Sequence, residues 1–198
     1  NPAGYLDTFV GTLTGAVAKA VDVAVIHGKN ALTDTVIDGH EYLMQSTNTS
    51  ELGTKAVKAG GYIADLMEGY TKVIDADADF TGFVAHPRLR PKLLGAVDMQ
   101  GRPVFQQTVD LSSNMDTVIG LPVAYARAVS GKVGAIADTG LRAVGGDFAN
   151  SVKVGFVEEI NFKRTDVATI IDGSETISLW PRNMEAILVE AIFSWVIR

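Results

Sequence analysis

Between Thr117 and Asp166 the apolar runs are short, rich in Val and Ile, and cut repeatedly by turn residues. Gly120-Leu121-Pro122, Gly145-Gly146-Asp147 and Asn150-Ser151 make the cuts. Runs of this length, bounded this way, read as strands rather than helices. After Ser151 the residues Val152, Val154, Phe156 and Ile160 interleave with Lys153, Glu158, Asn161 and Lys163. That rough alternation predicts one buried and one wetter sheet face. Pro122 cannot donate to a ladder, so it is expected at a strand edge or bulge. The stretch holds no nucleophile triad. Its chemistry is that of a sheet.

The 198 residues suffice for one sizeable domain or two small ones, and 47% hydrophobic with 20% charged permits a packed core. With no Cys, disulfides, thiol catalysis and Cys-ligated zinc are excluded. The net charge of −6, without a Lys/Arg block, argues against tight binding to phosphate backbones. No apolar run is read as approaching the ~20 residues of a membrane span. Asn1 is not an initiator Met, so missing N-terminal features carry no weight.

Residues 5–27 predict a long helix, with Leu6, Val10, Leu13, Val17, Val21 and Ala24 as its apolar stripe. Asp7 and His27 suit its macrodipole, and Gly28 suits its cap. Residues 29–50 are polar and loop-like, and form the best candidate boundary. A second helix is expected over 51–70, capped by Thr49 or Ser50 and kinked at Gly60-Gly61. A strand at 80–86, a short helix near 88–97 and a turn at Asp98–Pro103 follow. Asp172-Gly173 signals a hairpin. Past Pro181 a long strand with both faces covered is expected. Phe193, Trp195 and Ile197 form a one-sided apolar row near its end.

Motifs of catalysis and ligation are weak. Asp75, Asp77 and Asp79 invite a calcium reading, but Phe80 and His86 stand where that loop needs Gly and Glu. A solvated acidic turn is favoured. His27, His40 and His86 show no metal-ligand spacing and read as caps or surface residues. No phosphate loop or GxSxG elbow is present in the sequence. No catalytic, cofactor or metal residue is assigned.

Several landmarks coincide, in order, along nearly the whole chain. They are the long helix closing at VDVAVIHG with Gly28; FVAHPRLRPKLLGAVDMQGRPVF with Asp98, Gly101, Arg102 and Pro103; Gly120-Leu121-Pro122-Val123; Gly146-Asp147-Phe148; and the strand-rich tail. In this the chain resembles the major capsid proteins of tailed bacteriophages, the Hong Kong 97-type capsid fold. The resemblance implies an α+β fold. A sheet-cored axial (A) domain flanked by helices spans 31–167. A peripheral (P) domain with a long spine helix and long strands takes 1–30 and 168–198. The N-terminal arm and extended loop of the family are absent from this chain.

The resemblance also implies what the subunit does. Copies would self-assemble into hexamers and pentamers of an icosahedral capsid, phage or prophage, in the host bacterial cytoplasm. They would enclose packaged DNA with weak contact to it, with portal and scaffolding proteins as further partners and no membrane. No cofactor is implied. Some relatives crosslink through a Lys–Asn bond helped by a Glu, and Asn183 and Glu190 fall where the Asn and Glu are expected. Their seven-residue offset places them on opposite faces of a regular strand. An encapsulin-type nanocompartment shell shares the fold and is the close alternative. A small-molecule enzyme with an acid–base pair from Asp98, Glu158, Glu159 or Glu190 is the alternative from another class.

Overall fold

The computed structural model describes residues 2–105 and 115–198. The first helix, α1, spans Pro2–His27. Val10, Leu13, Val17 and Val21 lie half-buried along it, and Val23 to Ile26 are buried. Gly28 ends it with φ +65°, its N–H donating to the Ala24 carbonyl at 2.9 Å. Only glycine fits there, because a Cβ would stand 2.2 Å from the Tyr42 ring.

One expectation for this helix fails, and the Asp7 side chain lies outside what the structure describes. Thr8–His27, with mean hydropathy 1.6, is long and apolar enough by composition to cross a membrane, contrary to the sequence reading. A core helix meets the same criterion, and the last turns of α1 are buried within the protein.

The next helix, α2, spans Gly61–Ile74. It begins ten residues later than the expected 51, because Gly60 at φ +98° breaks the chain instead of kinking it. Residues 51–56 instead form a loop held by Asp65, which is 1% exposed. The Asp65 carboxylate accepts the Gly53 N–H at 2.7 Å and the Thr54 hydroxyl at 3.1 Å. Ser50, expected as a cap, donates its hydroxyl to the Asp65 carbonyl.

A four-stranded sheet follows from β1 (Gly82–Ala85), β2 (Thr117–Val118), β3 (Leu121–Tyr125) and β4 (Ala143–Gly146), in the order β2-β3-β1-β4. β1 runs parallel to β3 and antiparallel to β4. The helix α3 (Leu89–Leu94) leaves β1. Leu66, Ala85, Leu89, Leu93, Val118 and Val123 form the core between sheet and helices. A second cluster joins Val23 of α1 to Ala128 and Ile136.

Pro122 lies in an inner strand and not at an edge, a correction to the sequence expectation. Val123 donates its N–H to Asp116 on the β2 side, so the neighbouring Pro122 nitrogen points to the β1 side. The β1 ladder there begins only at Phe83 with Val123, so no donor is missed.

The chain continues through α4 (Phe148–Ser151) into the long strand β5 (Val152–Thr165). The hairpin β6 (Thr169–Asp172) with β7 (Glu175–Ser178) follows, and then the long strand β8 (Ala186–Ile197), which pairs with β5. Gly173 takes φ +60° at the first central position of the hairpin turn, as Asp172-Gly173 led one to expect.

Two compact units emerge: Asn1–Val17 with Val154–Ser194, and Ala18–Lys153 with Trp195–Arg198. These divisions fall inside α1, β5 and β8, where the sequence reading had 1–30, 31–167 and 168–198. Long elements that contribute to both units leave no composition shift at the boundary.

Candidate interaction surface

The strand-rich unit is unusual for what it leaves uncovered. Along β8 the odd-numbered side chains from Ile187 to Phe193 are half-buried, while Leu188 and Ile192 on the even face are 51% and 52% exposed. A strand covered on both faces was expected, and one face is open instead. β5 behaves likewise. Phe156 at 54% and Val157 at 81% point to opposite faces and both are exposed, so the buried face read from the alternation is absent in the single chain.

Side-chain contacts set which faces coincide. Lys163 of β5 pairs with Glu190 of β8, placing Val157 on the same face as Leu188 and Ile192. Phe156 meets Phe193 at a ring separation of 6.3 Å on the other face. Arg164 clamps Glu185, with Nη2 to Oε2 at 2.6 Å. The hairpin adds Val167 at 70%, Ile171 at 76% and, just past it, Trp180 at 69% exposed. A two-stranded ribbon is marginal in water by itself. Large apolar side chains left this exposed on one ribbon make it a candidate contact surface.

The sequence-derived positions are placed as follows. Asn183 lies outside β8, in the left-handed turn after a short 3-10 helix at φ +51°, so the strand-face argument for Asn183 and Glu190 does not apply. Asp98 closes its own turn. Its carboxylate accepts the Gln100 and Arg102 N–H groups, both at 2.9 Å, and the Arg102 Nε at 2.8 Å. Those bonds, the Arg102 N–H foremost, pull its pKa below the usual carboxylate range. Gly101 takes φ +76° there, and Pro103 bridges back to Val97. Gly120 makes the β2–β3 turn at φ +77°. Gly146 pairs with Gly82, and Asp147 caps α4 through the Asn150 N–H at 3.2 Å. The Phe148 N–H donates to the Thr81 hydroxyl. All of these shape the backbone.

The proposed acid–base residues do not converge. Asp98 serves its turn, Glu158 accepts from Asn161, and Glu190 holds Lys163. A cavity of about 970 Å³ does exist, between α2, β4 and the 41–52 loop. Asp98, Glu158 and Glu190 are not among its lining residues, and the Glu159 side chain lies outside what the structure describes. Among the described residues no group of three or more His, Asp or Glu could hold a metal.

Two histidines were misread. His27 is 4% exposed, with Nε2 3.0 Å from the Val129 carbonyl and 3.3 Å from that of Ala128. Burial pushes its pKa down, against the pull of those carbonyls. His86 is 8% exposed and accepts the Arg88 N–H on Nδ1 at 3.0 Å. His40 is exposed, as expected, and stacks on Trp195. The sequence offered no signal for the burial, since the partners of His27 lie more than a hundred residues away.

Beside His86, Asp138 accepts from Arg142 at 2.9 Å and Arg88 at 2.8 Å, and Arg142, the Gly140 N–H and Arg88 hold its carboxyl down to about 2. Arg127 lies near enough to His86 to act on its charge.

No protein-family model matches the chain. Two curated proteins do, each named Probable major capsid protein gp17. One, from Mycobacterium phage L5, is 28% identical over 98% of this chain and 60% of its own length. The other, from Mycobacterium phage D29, is 26% identical over 98% of this chain and 59% of its own. The chain is a relative of phage major capsid proteins. It spans about 60% of the length of these curated relatives.

Solved structures agree. One from Gordonia phage Cozz is 32% identical, with a TM-score of 0.81 over all of this chain and 61% of that one. Another, titled as the capsid of an empty GTA particle, shares the fold at 18% identity and a TM-score of 0.52, over 98% of this chain and 60% of that one. The mixed helix-and-sheet fold is therefore that of phage capsid proteins.

Proposed function

We propose that the chain is the tiling part of a phage or prophage capsid subunit, which self-assembles into hexamers and pentamers of an icosahedral shell around packaged DNA. The observation that carries this is the open apolar surface of β5, β8 and the hairpin in a relative of capsid proteins. A subunit that completes its core with neighbours gains stability from every contact, and closure multiplies weak contacts. In Hong Kong 97-type terms, the sheet-cored unit supplies the axial lobe, and the strand-rich unit with the start of α1 supplies the peripheral lobe.

The acidic balance fits a wall that touches DNA weakly, since −6 disfavours phosphate contacts. Assembly takes place in the host cytoplasm, with portal and scaffolding proteins as partners of the shell, and the role is structural and not catalytic. Electron microscopy of the full-length polypeptide after expression tests this. Closed particles or six- and five-fold rings are expected. A protein that stays monomeric at millimolar concentration would end the reading.

A further inference from the structure

Residues 165–181 carry three carboxylates, Asp166, Asp172 and Glu175, and no Lys or Arg. Within this arm Asp166 is exposed, and the Glu175 side chain, 64% exposed, meets Arg182, just past the arm, at 3.5 Å. Val167 and Ile171, beside them, are among the most exposed apolar residues of the described chain. The sheet-cored unit holds the opposite charge at one corner. There Arg88 and Arg142 both bind the single carboxylate of Asp138, the Arg88 side chain is 59% exposed, and the exposed Arg127 lies near enough to His86 beside them to act on its charge. In a chain of net charge −6 such a corner stands out.

We propose that the acidic β6–β7 arm of one copy docks on the Arg88–Arg127–Arg142 corner of a second copy. This deepens the shell-tile reading and rests on it. Arm and corner are different surfaces, so the contact is head-to-tail, the kind that propagates around a ring. Charge complementarity selects the partner and its register, while Val167 and Ile171 supply the apolar area that is removed from water. Nucleic acid is the less suitable occupant. A phosphate backbone would leave Val167 and Ile171 uncovered.

The test uses the full-length polypeptide, its assembled fraction read by sedimentation and electron microscopy at low and high salt. Arg88→Glu with Arg127→Glu, and separately Asp166→Lys with Glu175→Lys, are each expected to lower the assembled fraction at low salt by at least about tenfold. All four changes in one chain restore the complementarity with its sign inverted and should recover most of the assembly, which a misfolded variant would not do. Normal assembly of either two-site variant, or no recovery in the combined one, overturns the contact while leaving the tile reading standing. Wild-type protein that assembles at no salt overturns both. Shells of the Arg variant that form normally but retain less nucleic acid would make the corner a DNA surface and overturn the proposal.

Discussion

The Trp195 indole N–H donates to the Glu41 carbonyl at 2.6 Å, with the His40 ring stacked 4.7 Å away. This contact fastens the end of β8 to a loop that otherwise has little regular structure. Trp195→Phe keeps most of the apolar burial and strands the carbonyl, at a cost of roughly 1–2 kcal/mol. Trp195→Ala opens a cavity as well and should cost roughly 3–5 kcal/mol. Urea unfolding of the two variants beside wild type orders them, and a Trp195→Phe protein as stable as wild type would mean that the hydrogen bond is worth nothing.

The β2–β3 turn contains a residue ill-suited to its conformation. Ile119 takes φ +53° and Gly120 φ +77°, the pattern of a turn that favours Asn-Gly. A β-branched side chain is strained there, and Ile119 is 44% exposed, so little packing is lost on replacement. Ile119→Asn should stabilise the chain by about 1 kcal/mol. A lower melting temperature in this variant would show that Ile119 makes a contact worth more than the strain it bears.

Asp65 organises the 50–54 loop from inside α2. Asp65→Ala leaves the Gly53 N–H and the Thr54 hydroxyl without their acceptor and should cost roughly 1–3 kcal/mol. Asp65→Asn also falls short of wild type, since its amide offers one acceptor oxygen where two are used. Protection of the Gly53 amide from hydrogen exchange reports the same loss locally. An unchanged Gly53 exchange rate in Asp65→Ala would remove this residue from the account.

His27 makes stability depend on pH in a known direction. Its pKa is lowered in the fold from an ordinary value of 6.5, so the unfolded chain binds the proton more readily. The contribution is fully present above 6.5 and declines as pH falls below it toward the lowered folded value. His27→Gln keeps a donor for the Ala128 and Val129 carbonyls and cannot titrate. Its stability should therefore change less than that of wild type between neutral pH and about pH 5. Parallel curves for the two proteins would contradict the assignment.

The parts of this fold that were legible in the sequence are those set by local chemistry. Gly28 ends α1, Gly173 turns the hairpin, and Asp98 with Gly101 and Arg102 closes a turn, each because a neighbour within a few residues dictates it. What was missed depended on distant partners. Gly60 breaks the chain where a kink was read, and Asp65 replaces the lost turns of helix through contacts eleven and twelve residues away. The position of Pro122 follows from the register of β1, on which its own neighbours are silent. The apolar runs of β5 and β8 were read as buried, because composition records that a side chain seeks cover but not which molecule provides it.

That last point holds the central claim, that copies of this chain cover the open faces of β5, β8 and the hairpin. Hydrogen exchange by mass spectrometry, on assembled particles and on dissociated subunits of the full-length polypeptide, tests it most directly. The account predicts strong additional protection of residues 154–171 and 184–196 in the particle, with little change in the β1–β3 core. Equal exchange of those strands in particle and free subunit would contradict it.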